Sequence, residues 1–230
     1  SRSALSHRPW LILAAAFATF AVGAAMMHSY TVFLIAFIAA FGWSRADASI
    51  AYATSQLMSG LTSPLVGALV DRLGPARLVL GGGGVLALGL LASAWSNALW
   101  QIVVLYGVVM TLGANCLGLV VFVPILSRLF ERKRGMAVSI VQSANGFARA
   151  WSAPASQLLI SGLGWRGAYT VQGAAMALLV LPLAALFRRT EPERRSVAAR
   201  AAAESGWTVR QAMRTPHVWM LSLVYVFTGL

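Results

Sequence analysis

The sequence predicts an all-α polytopic membrane bundle, and three observations carry that prediction. Apolar stretches of about 20 residues, the length a helix needs to cross the hydrocarbon, recur along the chain. Of its 230 residues, 59% are hydrophobic and 10% charged, and the mean hydropathy is +0.74, which is more apolar than a water-soluble domain of this length can bury. Fifteen of the eighteen basic residues fall in every second gap between the stretches, the pattern of a chain threading a membrane with its basic loops on one side.

The first span runs from Trp10 to Phe41 after Arg2 and Arg8, and no Gly, Pro or Asn turn divides it between Ala25 and Ile38, so one long helix is expected. The second, Ser49 to Val70, is followed by Arg72 and Arg77. The third is Leu78 to Trp95 and the fourth Leu99 to Pro124, with Arg128, Arg132, Lys133 and Arg134 after it. The fifth is Gly135 to Leu163, the sixth Ala168 to Phe187, and the basic residues resume from Arg188 to Arg214. The intervening gaps hold only Arg45 and Arg166, which puts the N-terminus and the even-to-odd connections in the cytoplasm. Trp43, Trp95, Trp100 and Trp165 stand at the expected outer ends, where amphipathic rings settle among head groups.

Residues 1–187 thus form a six-helix bundle and residues 188–216 a cytoplasmic central loop, in which Thr208 to Arg214 is expected to lie as a short interfacial helix. Residues 217–230 begin a second bundle, a seventh span starting at Trp219 and cut within its apolar stretch at Leu230, so the chain reads as a fragment.

The net charge of +12 raises nucleic acid as a partner, but the basic residues are dispersed through separate loops without interleaved aromatics. They read instead as topology and as contact with anionic membrane lipid. Cys116 is the only cysteine, so no intrachain disulfide forms. Gly81 to Gly84 lack the Lys and Ser or Thr of a phosphate loop and are read as a close helix-packing surface. The spans hold no paired carboxylates, metal-ligand cluster or nucleophile–base pair, so neither an enzyme nor a cofactor is expected.

The fifth span carries Gln142, Asn145, Arg149, Ser152 and Ser156 at steps of three and four, one polar stripe of about 80° on a helix. Lipid cannot satisfy such a stripe, so it faces protein or a water-filled cavity. Arg149 is fourteen residues from both Gly135 and Leu163, about 21 Å from either end at the α-helical rise and too far to snorkel. A guanidinium at that depth costs at least ~2.5–3.5 kcal/mol without a compensating anion or water. None of the six spans contains Asp or Glu. Arg149 is therefore a candidate for binding a carboxylate substrate through two parallel hydrogen bonds, with pairing to backbone carbonyls or to an acid elsewhere in the protein as the alternative.

His28 is a candidate proton acceptor or a neutral histidine bonded to a neighbouring helix. Asn115 either faces the cavity or joins two helices. The second span has its own stripe, Tyr52, Ser55, Gln56, Ser59 and Ser63.

The segment Gly67-Ala-Leu-Val-Asp71-Arg72-Leu-Gly74-Pro-Ala-Arg77 resembles the G-x-x-x-D-R-x-G signature of the major facilitator superfamily, and lies between the second and third spans as that signature does. Ser29-Tyr-Thr31-Val-Phe33, Gly42-Trp43-Ser44 with Ser63-Pro64, Arg132-Lys133-Arg134 and Gly164-Trp165-Arg166-Gly167 are similar to the monocarboxylate transporter and oxalate/formate exchanger branch. Arg8-Pro9-Trp10 replace the opening signature of the animal members, which favours a bacterial relative and its inner membrane.

The resemblance implies two six-helix halves and alternating access. It also implies a gating role for Gly67, Asp71, Arg72, Gly74 and Arg77, with Asp71 as a latch at a helix end, and a second span lining the gap between halves. It places His28 where some members have an embedded lysine associated with substrate and proton. The reading is a secondary transporter of a small organic anion, a mono- or dicarboxylate, by proton symport or exchange for a counter-anion. Arg149, His28, Asn145, Gln142 and Asn115 would bind the substrate. A transporter of another substrate class, such as an exporter, and a membrane sensor of the same fold remain open.

Overall fold

A computed structural model describes residues 2–130, 132–188 and Met220. The expectations for the central loop, the interfacial helix at 208–214 and the seventh span lie outside the described residues, Arg188 and Met220 apart. Among the described residues every regular element is a helix: α1 (Arg2–His28), α2 (Tyr30–Phe41), α3 (Arg45–Leu73), α4 (Pro75–Ser93), α5 (Leu99–Val104), a π-helical segment (Leu105–Met110), α6 (Thr111–Asn115), α7 (Leu119–Leu129) and α8 (Arg134–Arg188). They belong to one compact unit, Ser1–Arg189.

Four segments among these residues are long and apolar enough to cross a membrane, Pro9–Phe41, Pro75–Ser93, Leu99–Ser127 and Arg134–Ala185. The protein is an integral membrane protein with helical spans. The last segment has 52 residues, about 78 Å at the α-helical rise and more than twice the hydrocarbon thickness. Gly164, at φ 70° and ψ 169°, divides it where a residue with a side chain would be strained. Gln172 Nε2 donates to Ser156 Oγ over 2.9 Å, and both residues are eight positions from Gly164, so the two arms fold back on each other. The expected second span, α3, is not among the four, because its Ser and Thr residues, Gln56 and Pro64 lower its hydropathy even though its 29 residues are long enough.

Two spans depart from the regular helices expected. The first is interrupted at Ser29, where hydroxyls engage three successive carbonyls. Ser29 Oγ donates to Met26 O (2.7 Å), Tyr106 OH to Met27 O (3.1 Å) and Thr31 Oγ1 to His28 O (3.1 Å). Side-chain hydroxyls competing for carbonyls in this way bend helices. The fourth is expected as one helix but passes through the π-helical segment, where Thr111 Oγ1 donates to Tyr106 O (2.9 Å), and turns again between α6 and α7. The wider π turn is where Gly107 meets α3: a Cβ at Gly107 would stand 2.8 Å from the Thr54 side chain.

The reading of Gly81 to Gly84 as a packing surface holds for the middle pair. A Cβ at Gly82 would collide with Cys116 and stand 2.9 Å from Gly113 O, and one at Gly83 would collide with Val180, whereas Gly81 and Gly84 face open space. Helix α4 thus packs backbone-close against α6 on one flank and the second arm of α8 on the other.

The connections sort by end. Trp43 stacks on Phe41 (4.6 Å), which also meets Trp165 (5.6 Å). Arg166 lies over Trp165 (4.6 Å) and donates to Ala94 O and Ser96 O (both 3.3 Å) and Asn97 Oδ1 (2.7 Å), so residues 42–44, 94–97 and 164–166 share one end of the bundle. Trp10 packs edge-on against Phe130 (5.4 Å), and Phe122 stacks with Phe187 (5.2 Å).

Candidate functional site

The bend at Ser29 sets His28 at the end of α1, facing the first arm of α8. There His28 Nε2 stands 2.7 Å from Asn145 Oδ1, and Arg149 Nε stands 3.4 Å from the same nitrogen. Asn145 and Arg149 are four residues apart and therefore neighbours on one helix face. Three of the five substrate-site candidates thus meet in one cluster across 117 to 121 residues of sequence.

One ring nitrogen cannot serve both contacts at once. As Nε2–H it donates to Asn145; bare, it accepts from Arg149, and Asn145 must then turn its amide to offer the NH₂ group. The shorter contact favours Nε2–H, which leaves the guanidinium in contact with the ring edge but not hydrogen-bonded to it. Arg149 is exposed along this face. No backbone carbonyl accepts from it among the described residues, and the acidic residues described, Asp47 and Asp71, lie in the first and last turns of α3.

Gln142 is exposed one turn before Asn145 and belongs to the same face. The polar stripe then divides, for Ser152 and Ser156 are buried. Asn115 sits elsewhere, with both ends of its amide engaged by α3: its Nδ2 donates to Thr62 Oγ1 (2.7 Å) and its Oδ1 accepts from Ser59 Oγ (3.1 Å).

The loop signature maps onto the α3–α4 junction. Asp71 and Arg72 occupy the exposed last turn of α3, which runs three residues past the expected end at Val70. Gly74 has φ 86°, its N–H donates to Val70 O over 3.1 Å, and Pro75 opens α4. That conformation favours glycine, which gives the signature's final Gly a physical reason. A Cβ at Gly67 would stand at an ordinary van der Waals distance of 3.9 Å from the Val120 side chain, and Arg77 is exposed.

Sequence reasoning missed Tyr106 and Gln172. Gln172 left a usable signal, an amide within the apolar stretch of the sixth span; Tyr106 left none, because a tyrosine in a span reads as packing.

The family model of the Major Facilitator Superfamily matches residues 6–230. The chain is 32% identical over 182 residues to monocarboxylate transporter 11 of Mus musculus, covering 78% of this chain and 40% of that protein. It is 29% identical over 182 residues to monocarboxylate transporter 13 of Rattus norvegicus, covering 78% and 41%. It is 23% identical over 212 residues to the uncharacterized MFS-type transporter YcxA of Bacillus subtilis (strain 168), covering 91% and 52%. The chain spans about two-fifths to one-half of the length of these relatives. With all but the first five residues matched, the chain belongs to the major facilitator superfamily, a family of membrane transporters and not of enzymes.

Proposed function

We propose that this chain is the N-terminal six-helix half, with the first part of a seventh helix, of a secondary transporter that carries a small organic anion across a bacterial inner membrane. The anion is a mono- or dicarboxylate, moved by alternating access with proton symport or anion exchange. The basic connections lie in the cytoplasm, with residues 188–216 as the central loop, and the split of α8 at Gly164 supports counting it as two crossings.

The observation that carries this reading is the exposed mid-span guanidinium of Arg149, set against His28 and Asn145 with no carboxylate opposite it among the described residues. A carboxylate substrate fits the free edge of the guanidinium bidentately. Gln142 and Asn145 add neutral hydrogen bonds. Asn115 bears on the site by holding α6 to α3. A proton taken up by His28 makes both ring nitrogens donors and places a like charge beside Arg149, which turns the guanidinium toward the arriving anion. At the α3–α4 junction Asp71 acts as a latch between conformations.

Counterflow in proteoliposomes holding the full-length protein tests the reading. Arg149→Ala should abolish carboxylate counterflow, and Arg149→Lys, which keeps the charge and loses the planar fork, should reduce it by about 10-fold or more. Carboxylate counterflow that survives both substitutions refutes the assignment, and ligand binding without any counterflow marks a sensor.

A further inference from the structure

The fourth span grips its neighbours at points that an unbroken α-helix could not bring to bear together. Gly107 lies against α3, where a Cβ would stand 2.8 Å from the Thr54 side chain and 3.2 Å from Ala51 O. Further along, Asn115 holds the same helix through Thr62 Oγ1 (2.7 Å) and Ser59 Oγ (3.1 Å). Between the two the span is clamped to α4, since a Cβ at Gly113 would stand 2.6 Å from Gly82 O and 2.7 Å from Leu86 N. Tyr106, beside Gly107, reaches across to Met27 O at the bend that presents His28.

On a regular helix, at about 100° per residue, the step from Gly107 to Asn115 leaves the two about 80° apart, and the step from Tyr106 to Asn115 about 180° apart. A π turn closes i to i+5 instead of i to i+4 and so takes up one residue more. With Leu105–Met110 in that form, the two angles narrow to about 20° and about 80°. Gly107 and Asn115 thereby share the α3 side, and Tyr106 turns toward α1.

One side chain keeps the turn open. The Thr111 N–H turns back to Val108 O, and the Thr111 hydroxyl donates to Tyr106 O over 2.9 Å, in the place that a π-helical amide would take. Thr111 is 2% exposed, so solvent cannot supply that donor instead.

We infer that Thr111 is a positioning residue for His28. By holding the π turn it sets the phase of the fourth span, so that one helix pins α3 through Asn115 and the bend of the first span through Tyr106. Relaxed to an α-helix at unchanged length, the segment would carry Tyr106 about 100° round the axis and off Met27 O, because Gly113 and Asn115 fix the part that follows it. The consequence for substrate rests on the anion reading above; the phase of the helix does not.

The test uses full-length protein carrying Thr111→Val, Thr111→Ser, or Thr111→Val combined with deletion of Val108, read by thermal unfolding in detergent and by propionate counterflow in proteoliposomes. Thr111→Val keeps the shape and loses the donor. It should lower the melting temperature by about 2–4 °C and weaken the apparent affinity for propionate about fivefold, the equivalent of one hydrogen bond. Thr111→Ser, which keeps the hydroxyl, should stay within about twofold of the parent protein. Deleting Val108 removes the residue that the π turn takes up, so a regular helix then seats Tyr106 and Asn115 at the same angle of about 80°. The deletion should restore both readings in the Thr111→Val background.

Thr111→Val without effect, or a Val108 deletion that worsens the variant or fails to fold, overturns the inference. A melting temperature that recovers while the affinity does not overturns the positioning role and leaves Thr111 to packing. Counterflow indifferent to Arg149→Ala removes the anion reading, and the recovered melting temperature then still stands for the phase of the helix.

Discussion

The Tyr106 hydroxyl donates to the Met27 carbonyl across 3.1 Å, tying the π-helical segment of the fourth span to the bend that presents His28. Tyr106 also stacks on Tyr30 at 3.9 Å, just past the bend, and Tyr30 OH anchors to Ala48 O at 2.7 Å. Removing the one hydroxyl with Tyr106→Phe should cost about 1 kcal/mol of stability. It should also alter the pH profile of transport in the sense of His28→Gln, and the double variant should equal His28→Gln alone. Additive effects of the two substitutions on that profile would show that Tyr106 only packs.

An imidazole is the one side chain of the cluster that can gain a charge by taking up a proton, and His28 carries it. Its protonated form repels the guanidinium 3.4 Å away and adds positive charge for the anion, so uptake should rise as pH falls from 8 to 5.5. His28→Gln keeps a hydrogen bond to Asn145 within reach and removes the titration. Its profile should be flat, and an unchanged profile removes the proton role.

The four-glycine run of α4 carries its own control. Gly82→Ala drives a methyl group into Cys116 and toward Gly113 O and should destabilise the bundle by about 1–3 kcal/mol. Gly81→Ala and Gly84→Ala meet nothing within 4 Å and gain helix propensity, so each should be neutral or stabilising by up to about 1 kcal/mol. Thermal unfolding in detergent separates the two pairs.

Arg166 closes one end of the bundle by donating to two carbonyls and to Asn97 while lying over Trp165. Lysine keeps the charge but cannot reproduce that fork, so Arg166→Lys should lower stability by about 1–2 kcal/mol and Arg166→Ala by more. Equal melting temperatures for the lysine variant and the parent protein would show that the fork carries no energy.

The legible parts of this molecule were those written in period and punctuation. Apolar run length announced the helices, the gap at residues 164–167 between the fifth and sixth spans announced the reversal inside α8, and the spacing of Asn145 and Arg149 announced a shared face. His28 was singled out as a polar residue within a span, but its meeting with that face depended on a bend at Ser29 that no glycine or proline marks. The π-helical segment was invisible for a related reason, since a lone Gly107 among apolar residues does not distinguish a wider turn from a regular one, and the segment lies where Gly107 approaches α3. The second span was drawn as one of the apolar stretches, although its own polar stripe dilutes it enough to leave it out of the four segments that stand out by length and composition.

With no acid opposite it among the described residues, Arg149 makes the unloaded form of the proposed carrier electrically lopsided, since one elementary positive charge stands at mid-depth and a bound carboxylate would cancel it. Turning the empty form across the full membrane voltage would exchange up to ~2.3 kcal/mol per 100 mV with the field, whereas a form loaded with the anion alone would turn almost free of it. A proton carried on His28 together with the anion restores the cancelled charge, so in proton symport the resting voltage would weigh on the loaded and empty strokes alike, while anion exchange, loaded on both strokes, would be nearly untouched by it.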